Sequence, residues 1–231
     1  MVARRFRGRI VYRHDSRGVT GREWFEVCVT ATGRTVHASC ELDDVALLRD
    51  VVYSVDAAWR PLDAYVRLTR HDRFQGAAWY RFRDDGVDSE QCSIDAGRVS
   101  QFVSLPQRAT LFAPHPLVVD GWQSKAFDFQ RGAGRQRLEH CTNTSSQPDG
   151  SSGPNIGVVY KDLEYLGTTE VHTRAGTFRC RHMKIHPLME AMAAWPPLEF
   201  WVAGDDALLV RMRWNLLQST YELEQLEGEV L

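Results

Sequence analysis

The segment Leu208-Leu209-Val210-Arg211-Met212-Arg213-Trp214 decides the fold class of this chain. Successive side chains of a β-strand point to opposite faces, so the apolar residues after Leu209 share one face and the two arginines share the other. The turn Gly204-Asp205-Asp206 comes just before this segment, and the earlier turn Arg174-Ala175-Gly176 lies between two similar runs. The last sixty residues therefore predict a twisted antiparallel sheet with one core face.

Turn signals separate alternating runs along the rest of the chain as well, at Thr32-Gly33, Asp84-Asp85-Gly86 and Asp95-Ala96-Gly97. Only Leu42 to Arg49 and Leu188 to Ala194 would tolerate a turn or two of helix. The pattern predicts an all-β fold, an antiparallel meander that forms a curved sheet or open β-barrel with a central cavity. We expect strands near 4–14, 22–31, 34–43, 51–57, 62–71, 75–84, 87–95, 98–104, 119–130, 135–144, 158–173, 177–187, 197–203, 207–215 and 219–226.

Length and composition limit the class of protein. A chain of 231 residues with 43% hydrophobic content can bury one large core, so we expect a single domain over 1–231. With 28 basic and 30 acidic residues the net charge is −2, which argues against a nucleic acid partner. Five cysteines occur singly, which favours reduced thiols. No signal peptide and no membrane span is recognisable, so we expect a cytoplasmic protein.

Residues 145–157 form the one segment that is plainly loop-like. They are rich in Gly, Pro and Ser and too polar to pack as a strand. About 80 residues of further sheet pattern follow, which argues against a linker between domains. We expect a long mobile loop that could act as a lid over the cavity.

The closing segment resembles a bacterial protein family of unknown function. The similar residues are Val171 to Phe178 with an Ala-Gly-Thr-Phe hairpin, Phe200-Trp201 before Asp205-Asp206, Val210 to Arg213, and Tyr221-Glu222-Leu223. The resemblance covers about residues 164–226 and implies a curved antiparallel sheet or open barrel. It implies no active site. Members usually begin with a secretion signal, and this chain departs from them there.

The best candidate for catalysis is His115, which lies between Pro114 and Pro116. The prolines restrict the backbone and hold the imidazole in a fixed direction. Asp120, five residues on, could orient the ring, so that His115 acts as an acid or base near neutral pH. Alternatively, Pro-His-Pro is a rigid connection between strands and Asp120-Gly121 is a turn.

Further residues are candidates for lining a ligand site. His37 and Glu41 share one face of a strand but lie roughly 13 Å apart, so they could line one cavity without bonding directly. Three tryptophans that lie beside polar or arginine-bearing positions could stack on a flat ligand, although core packing is the alternative for each. Arginines on the second face of the sheet could bind an anionic group. These candidates are Trp24, Trp79, Trp122, Arg179, Arg181, Arg211 and Arg213.

No nucleophile elbow, nucleotide loop or metal-ligand spacing occurs, so we expect no cofactor and no metal. The sequence favours a small-molecule-binding, barrel-like protein, with a lean towards a cofactor-independent isomerase, lyase, dehydratase or cyclase that acts on a hydrophobic or aromatic metabolite through His115. One alternative is a non-catalytic carrier of a lipid-like ligand. Another is a structural domain, in which sheet edges or the segment 187–198 make a homo-oligomer contact.

Overall fold

The computed structural model describes residues 4–231, and fifteen strands of this part of the chain form one sheet. In chain order the strands are β1 (Arg4–His14), β2 (Gly18–Val29), β3 (Gly33–Leu42), β4 (Leu47–Asp56), β5 (Pro61–Arg70), β6 (Arg73–Arg83), β7 (Gly86–Ser93), β8 (Gly97–Ser104), β9 (Leu111–Ala113), β10 (Gly134–Asn143), β11 (Gly157–Thr173), β12 (Gly176–Pro187), β13 (Leu198–Ala203), β14 (Leu208–Trp214) and β15 (Ser219–Gly228).

The strand order shows two meanders joined through the chain ends. The order is β8-β7-β6-β5-β4-β3-β2-β1-β15-β14-β13-β12-β11-β10-β9, so β1 pairs with β15 in the middle of the sheet. All neighbours are antiparallel except β9 and β10, which run parallel. Within residues 4–231 the edge strands β8 and β9 do not pair, and the sheet stays open. The predicted all-β antiparallel fold class is confirmed.

Alternation of apolar and polar residues explains the strands. In β4, every second residue from Leu47 to Val55 is buried and every intervening one is partly exposed. The predicted strand at 119–130 is wrong. Its first part belongs to a short helix, α1 (Leu117–Trp122), which is followed by single turns of 3-10 helix at Gln123–Ala126 and Phe129–Arg131. Two further such turns, Asp43–Val45 and Glu190–Met192, lie in the two stretches expected to tolerate helix.

The core lies on the inner, concave side of the sheet. Helix α1 packs there against β14, and Val118 and Val119 are buried. An aromatic cluster fills the neighbouring region, where Phe112 contacts the rings of Tyr53, Tyr80 and Phe82 at centroid distances of 5.0 to 5.5 Å. The segment between β8 and β10 therefore closes the concave face of the sheet.

Loop residues 145–157 also run along this side. Arg70 donates a hydrogen bond to the carbonyl of Ser151 at 2.8 Å, and the Tyr80 hydroxyl donates to the carbonyl of Asn155 at 2.6 Å. Side chains from β5 and β6 thus hold the loop against the sheet. Along residues 4–231 the helices are all too short to span a membrane.

Candidate functional site

His115 has an unusual backbone conformation. Its φ is 76°, in the left-handed region that a non-glycine residue adopts at a cost of about 1 to 3 kcal/mol. The ring packs on Gly150, where an added Cβ would lie 2.8 Å from the Cβ and Cγ of His115. The Nε2 atom of His115 is buried and has no hydrogen-bond partner within residues 4–231. Strain and an unsatisfied buried nitrogen at one residue are typical of a functional site.

His115 belongs to the wall of a cavity with a volume of about 140 Å³. A smaller lobe of about 70 Å³ adjoins it and shares His115, Asp120 and Trp214 in its wall. We name the two together the His115 cavity. Its polar wall includes His115, Asp120, Gln123, Lys161 and Arg49, and its apolar wall includes Ile185, Met192, Trp195, Leu198 and Trp214.

Glu23 fixes the chain that follows His115. Its side chain is fully buried, and its carboxylate accepts hydrogen bonds from the backbone N–H groups of Leu117 and Val118 at 2.6 and 2.9 Å. The hydroxyl of Tyr12 and the thiol of Cys40 also donate to it, at 3.1 and 3.5 Å. Burial raises the pKa of Glu23 to about 7, although these four donors lower it in part. The first turn of α1 is therefore tied to β2.

Arg49 fixes the chain that precedes His115. It is 2% exposed, and its guanidinium donates to the carbonyl of Pro114 at 2.9 Å and to Thr144 Oγ1 at 3.2 Å. It also donates to the carbonyls of Gly150 and Ser152. Burial lowers the pKa of Arg49 to about 10, which leaves it charged at neutral pH. One buried cation therefore holds the His115 segment and the 145–157 loop together.

Three side chains in the cavity wall are joined by hydrogen bonds. Lys161, which is 9% exposed, donates to Gln123 Oε1 at 2.9 Å, and Gln123 Nε2 donates to the Asp120 carboxylate at 2.6 Å. Burial raises the pKa of Asp120 to about 6, and the charge of Lys161 offsets part of that effect. The glutamine thus links an ammonium and a carboxylate along the cavity wall.

The imidazole of His115 is a neutral group at pH 7. Burial lowers its pKa well below the usual value, and the positive charges of Arg49 and Lys161 lower it further. A neutral imidazole has one donor and one acceptor nitrogen. His115 can therefore donate or accept a hydrogen bond at Nε2, while its lowered pKa makes it a weak proton acceptor.

The structure brings the two predicted catalytic residues to one cavity but does not join them. Asp120 is hydrogen-bonded to Gln123, and within the described chain it makes no hydrogen bond to His115. The ring direction is set instead by the strained backbone and by Gly150. Trp122 lies in the core, 6% exposed, where it packs on Tyr53 and borders a separate cavity of about 190 Å³.

The other candidate residues lie away from the His115 cavity. Trp24 and His37 line a groove on the outer face of the sheet, and Trp79 lines a neighbouring depression. Glu41 is outside that groove and forms an ion pair with Arg22 at 3.4 Å.

Of the candidate arginines, Arg211 and Arg213 are on the outer face, whereas Arg181 is on the inner face, where its cross-strand partner Val202 is buried. Arg211 pairs with Glu222 at 2.6 Å and Arg213 with Asp15 at 2.5 Å. Arg181 stacks on the Phe129 ring at 4.8 Å, and Arg179 is exposed. None of the four lines the His115 cavity, so the structure separates them from the predicted catalytic residues.

Sequence reasoning missed Glu23, Arg49 and Lys161. Each is a charged residue on an otherwise apolar strand face, as with Arg49 between Leu47 and Val51. That interruption of the alternation is the signal that could have found them. Along residues 4–231, no three His, Cys, Asp or Glu side chains converge as a metal site would require, and the five cysteines are free thiols.

Comparison with known proteins shows the fold and no more. No protein-family model matches the chain, and no curated protein matches it. Among solved structures, the chain is similar to a beta-barrel-like protein of domain of unknown function DUF1849 from Brucella abortus, with a TM-score of 0.60 and 12% identity over 98% of each chain. Bacterial barrel-like proteins of unknown function are thus its structural neighbours, while the hairpin motif at 174–178 stays a prediction.

Two further solved structures cover nearly the whole chain at much lower structural similarity. One is a candidate lipoprotein from Parabacteroides distasonis, with a TM-score of 0.31, 12% identity, and 98% of this chain and 96% of that chain covered. The other is a candidate exported protein with a YmcC-like fold from Bacteroides fragilis, with a TM-score of 0.30, 11% identity, and coverage of 96% and 95%. Scores at this level carry no conclusion about function.

Proposed function

We propose that this protein binds a small molecule with an apolar body and one polar group in the His115 cavity. The observation that carries the proposal is the buried Nε2 atom of His115, which has no partner in the part of the chain described and belongs to a residue with a left-handed backbone. A buried polar atom without a partner costs about 1 to 3 kcal/mol. A bound molecule that bonds to Nε2 would remove that cost.

The cavity walls favour a compact ligand. The indole rings of Trp195 and Trp214, together with Ile185 and Met192, offer apolar surface opposite the polar wall. Pockets for drug-sized ligands usually have volumes of about 300 to 1,000 Å³. A cavity of about 140 Å³ therefore suits a small aromatic or aliphatic metabolite better than a long acyl chain.

Catalysis of a proton transfer is a second candidate function. A neutral imidazole and the Asp120 carboxyl, with a pKa raised to about 6, line the same cavity. Two titratable groups whose environments alter their pKa values in this way are typical of acid and base pairs in enzymes. In this version Asp120, whose pKa is near the working pH, accepts a proton from the ligand, the neutral His115 hydrogen-bonds the ligand at Nε2, and Lys161 stabilises the negative charge that develops.

Native mass spectrometry of the purified protein after incubation with a metabolite extract of its host tests the binding proposal. We expect a mass increment over the denatured chain. His115→Asn should lose the increment, because asparagine tolerates the left-handed conformation but has no imidazole. Arg213→Gln, on the outer face, is the matched control and should keep it. The proposal is wrong if the wild type stays empty or if His115→Asn retains the increment.

The same variants separate binding from catalysis once a ligand is known. Saturable binding without chemical change identifies a carrier, and conversion that His115→Asn abolishes identifies an enzyme. An empty and stable oligomer would favour the structural alternative. A cytoplasmic location and a homo-oligomer stay predictions, and native mass spectrometry reports the subunit number directly.

A further inference from the structure

The outer face of the sheet exposes three large aromatic rings, one each on β2, β5 and β6. Trp24 is 44% exposed, and Tyr65 and Trp79 are each 42% exposed. Tryptophan and tyrosine are mostly buried in folded proteins, so an exposed group of them on one sheet face marks a contact surface for another molecule.

One cross-strand row contains Tyr65 and Trp79, and Trp24 lies two residues off that row on β2, where Glu26 is the partner of His37. His37, Val52, Tyr65 and Trp79 are successive cross-strand partners on β3, β4, β5 and β6. Tyr65 and Trp79 therefore stand side by side, with Cβ atoms about 5 Å apart. Trp24 lies on β2, four strands from Trp79, which is about 19 Å at the usual spacing of strands.

Two adjoining depressions follow this row. The first has a volume of about 560 Å³ and is bordered by Trp24, His37 and Tyr65. The second, of about 330 Å³, is bordered by Tyr65, Ala77 and Trp79. Because Tyr65 belongs to both, the two form one open trough, which we call the outer trough. Its length across the sheet suits an extended chain molecule.

The charges along the outer trough argue against a polyanion. It has two basic and four acidic side chains, Arg7, Arg98, Glu26, Asp50, Glu90 and Glu227. Three of these carboxylates are paired with arginines, Glu26 with Arg5 at 3.1 Å, Glu227 with Arg7 at 2.6 Å and Glu90 with Arg98 at 3.8 Å, so the outer trough has little free positive charge for the phosphates of nucleic acids or anionic lipids.

The carboxylates are suited to accept hydrogen bonds from hydroxyl groups. Asp50 accepts a bond from Ser39 at 3.0 Å and can accept more, since an ionised carboxyl has about four acceptor positions. Glu90 likewise accepts from Ser100 at 2.6 Å. Both residues lie beside the aromatic row, so flat apolar surface alternates with hydroxyl acceptors.

We propose that the outer trough binds a neutral oligosaccharide. A sugar ring has a face of C–H groups, which is attracted to the negative face of an aromatic ring, and a rim of hydroxyl groups, which donate to carboxylates. Trp24 and the Tyr65–Trp79 pair are separated by three strand spacings, so a chain of several sugar units could contact both. This site lies on the face opposite the His115 cavity and does not depend on the function proposed there.

Titration calorimetry with cellohexaose, chitohexaose and maltohexaose tests the proposal. We expect saturable binding of at least one of the three, weakened at least tenfold by Trp24→Ala and by Trp79→Ala. Phe102→Ala is the matched control, because Phe102 on β8 is 46% exposed but lines neither depression. His115→Asn should also bind the sugar normally, which separates this test from that of the cavity.

Three results would overturn the proposal. The first is no saturable binding of any of the three hexasaccharides at millimolar concentration. The second is binding that neither tryptophan variant weakens. The third is a concentration-dependent dimer that Trp24→Ala dissociates while no sugar binds, which would identify the outer trough as an interface between copies of the chain. Thermal melting of each variant checks that the fold is intact.

Discussion

The Glu23 carboxylate on β2 accepts a hydrogen bond from the backbone N–H of Leu117 at 2.6 Å. Leu117 is the first residue of α1 and lies two positions after His115. The distance in sequence is 94 residues, so the contact joins the middle of the sheet to the segment that covers its concave side. A buried acidic group thereby sets the position of the candidate site.

Replacing Glu23 with alanine should lower the free energy of unfolding by about 3 kcal/mol, because Leu117, Val118, Tyr12 and Cys40 all lose their acceptor in a buried place. Urea unfolding measures the loss. Glu26→Ala is the control, since Glu26 lies on the outer face of the same strand and should change stability by less than about 0.5 kcal/mol. Equal losses in both variants would contradict the role of Glu23.

Ionisation of Glu23 should make the free energy of unfolding depend on pH. Its pKa is raised from 4.5 to about 7 in the fold, so its contribution is complete below about pH 4.5 and is lost as the pH rises through 7. Relative to Glu23→Gln, the wild type should therefore lose about 3 kcal/mol between these values. Asp120 and His115 titrate in both proteins, so their effects cancel in the difference.

Urea unfolding of both proteins at a series of pH values measures this difference. The neighbours of Glu23 are Tyr12 and Cys40, and burial raises the pKa of both well above the range studied. They therefore do not contribute to the change of the free energy of unfolding with pH. Parallel stability curves for the wild type and the variant would show that Glu23 ionises normally in the fold.

A methyl group at Gly150 should displace His115. The φ of Gly150 is +73°, and an added Cβ would lie 2.8 Å from the His115 ring and its Cβ. Gly97→Ala is a matched control, because its φ is +65° with no atom within 4 Å, so it carries only the backbone cost of about 1 to 2 kcal/mol.

Gly150→Ala should cost more than this control and should also weaken ligand binding in the His115 cavity. Urea unfolding compares the two variants, and native mass spectrometry measures ligand retention. If Gly150→Ala matches Gly97→Ala in stability and keeps the ligand, the position of His115 does not depend on Gly150.

Arg49→Met should loosen the 145–157 loop. Methionine fills much of the space but donates no hydrogen bonds, so the carbonyls of Pro114, Gly150 and Ser152 lose their shared donor. We expect amide hydrogen exchange over residues 148–153 to speed up at least tenfold, with Arg67→Met on the outer face as the control. Unchanged exchange would mean that Arg70 and Tyr80 alone hold the loop. Whether the loop opens as a lid in the wild type stays a prediction that the same measurement addresses.

Much of the fold could be predicted because each strand has its own alternating pattern, as β4 shows from Leu47 to Val55. Helix α1 could not be predicted, because Leu117-Val118-Val119 reads locally as a strand. Its conformation is set by tertiary contacts with Glu23 and β14, which override local preference. The pairing of β1 with β15 depends on chain ends that are far apart in sequence.

The candidate site could be predicted only in part. His115 and Asp120 stand out because they are close in sequence and flanked by prolines. Arg49 and Lys161 reach the same cavity from β4 and β11, and only the strand order shows that these strands face the His115 segment. Trp24 and Trp79 were predicted as candidates. The face of the sheet that they occupy follows from the strand register, so the sequence alone could not show that they lie away from His115.

A crystal structure of the protein as purified from its own host, at a resolution that shows ordered water, tests the central claim most directly. We predict density for an organic molecule in the His115 cavity, with a polar atom within hydrogen-bond distance of His115 Nε2 and an apolar part against Trp195 or Trp214. A cavity that holds only water, with one water molecule joining Nε2 to a protein group such as Asp120, would contradict the claim and make His115 a structural residue.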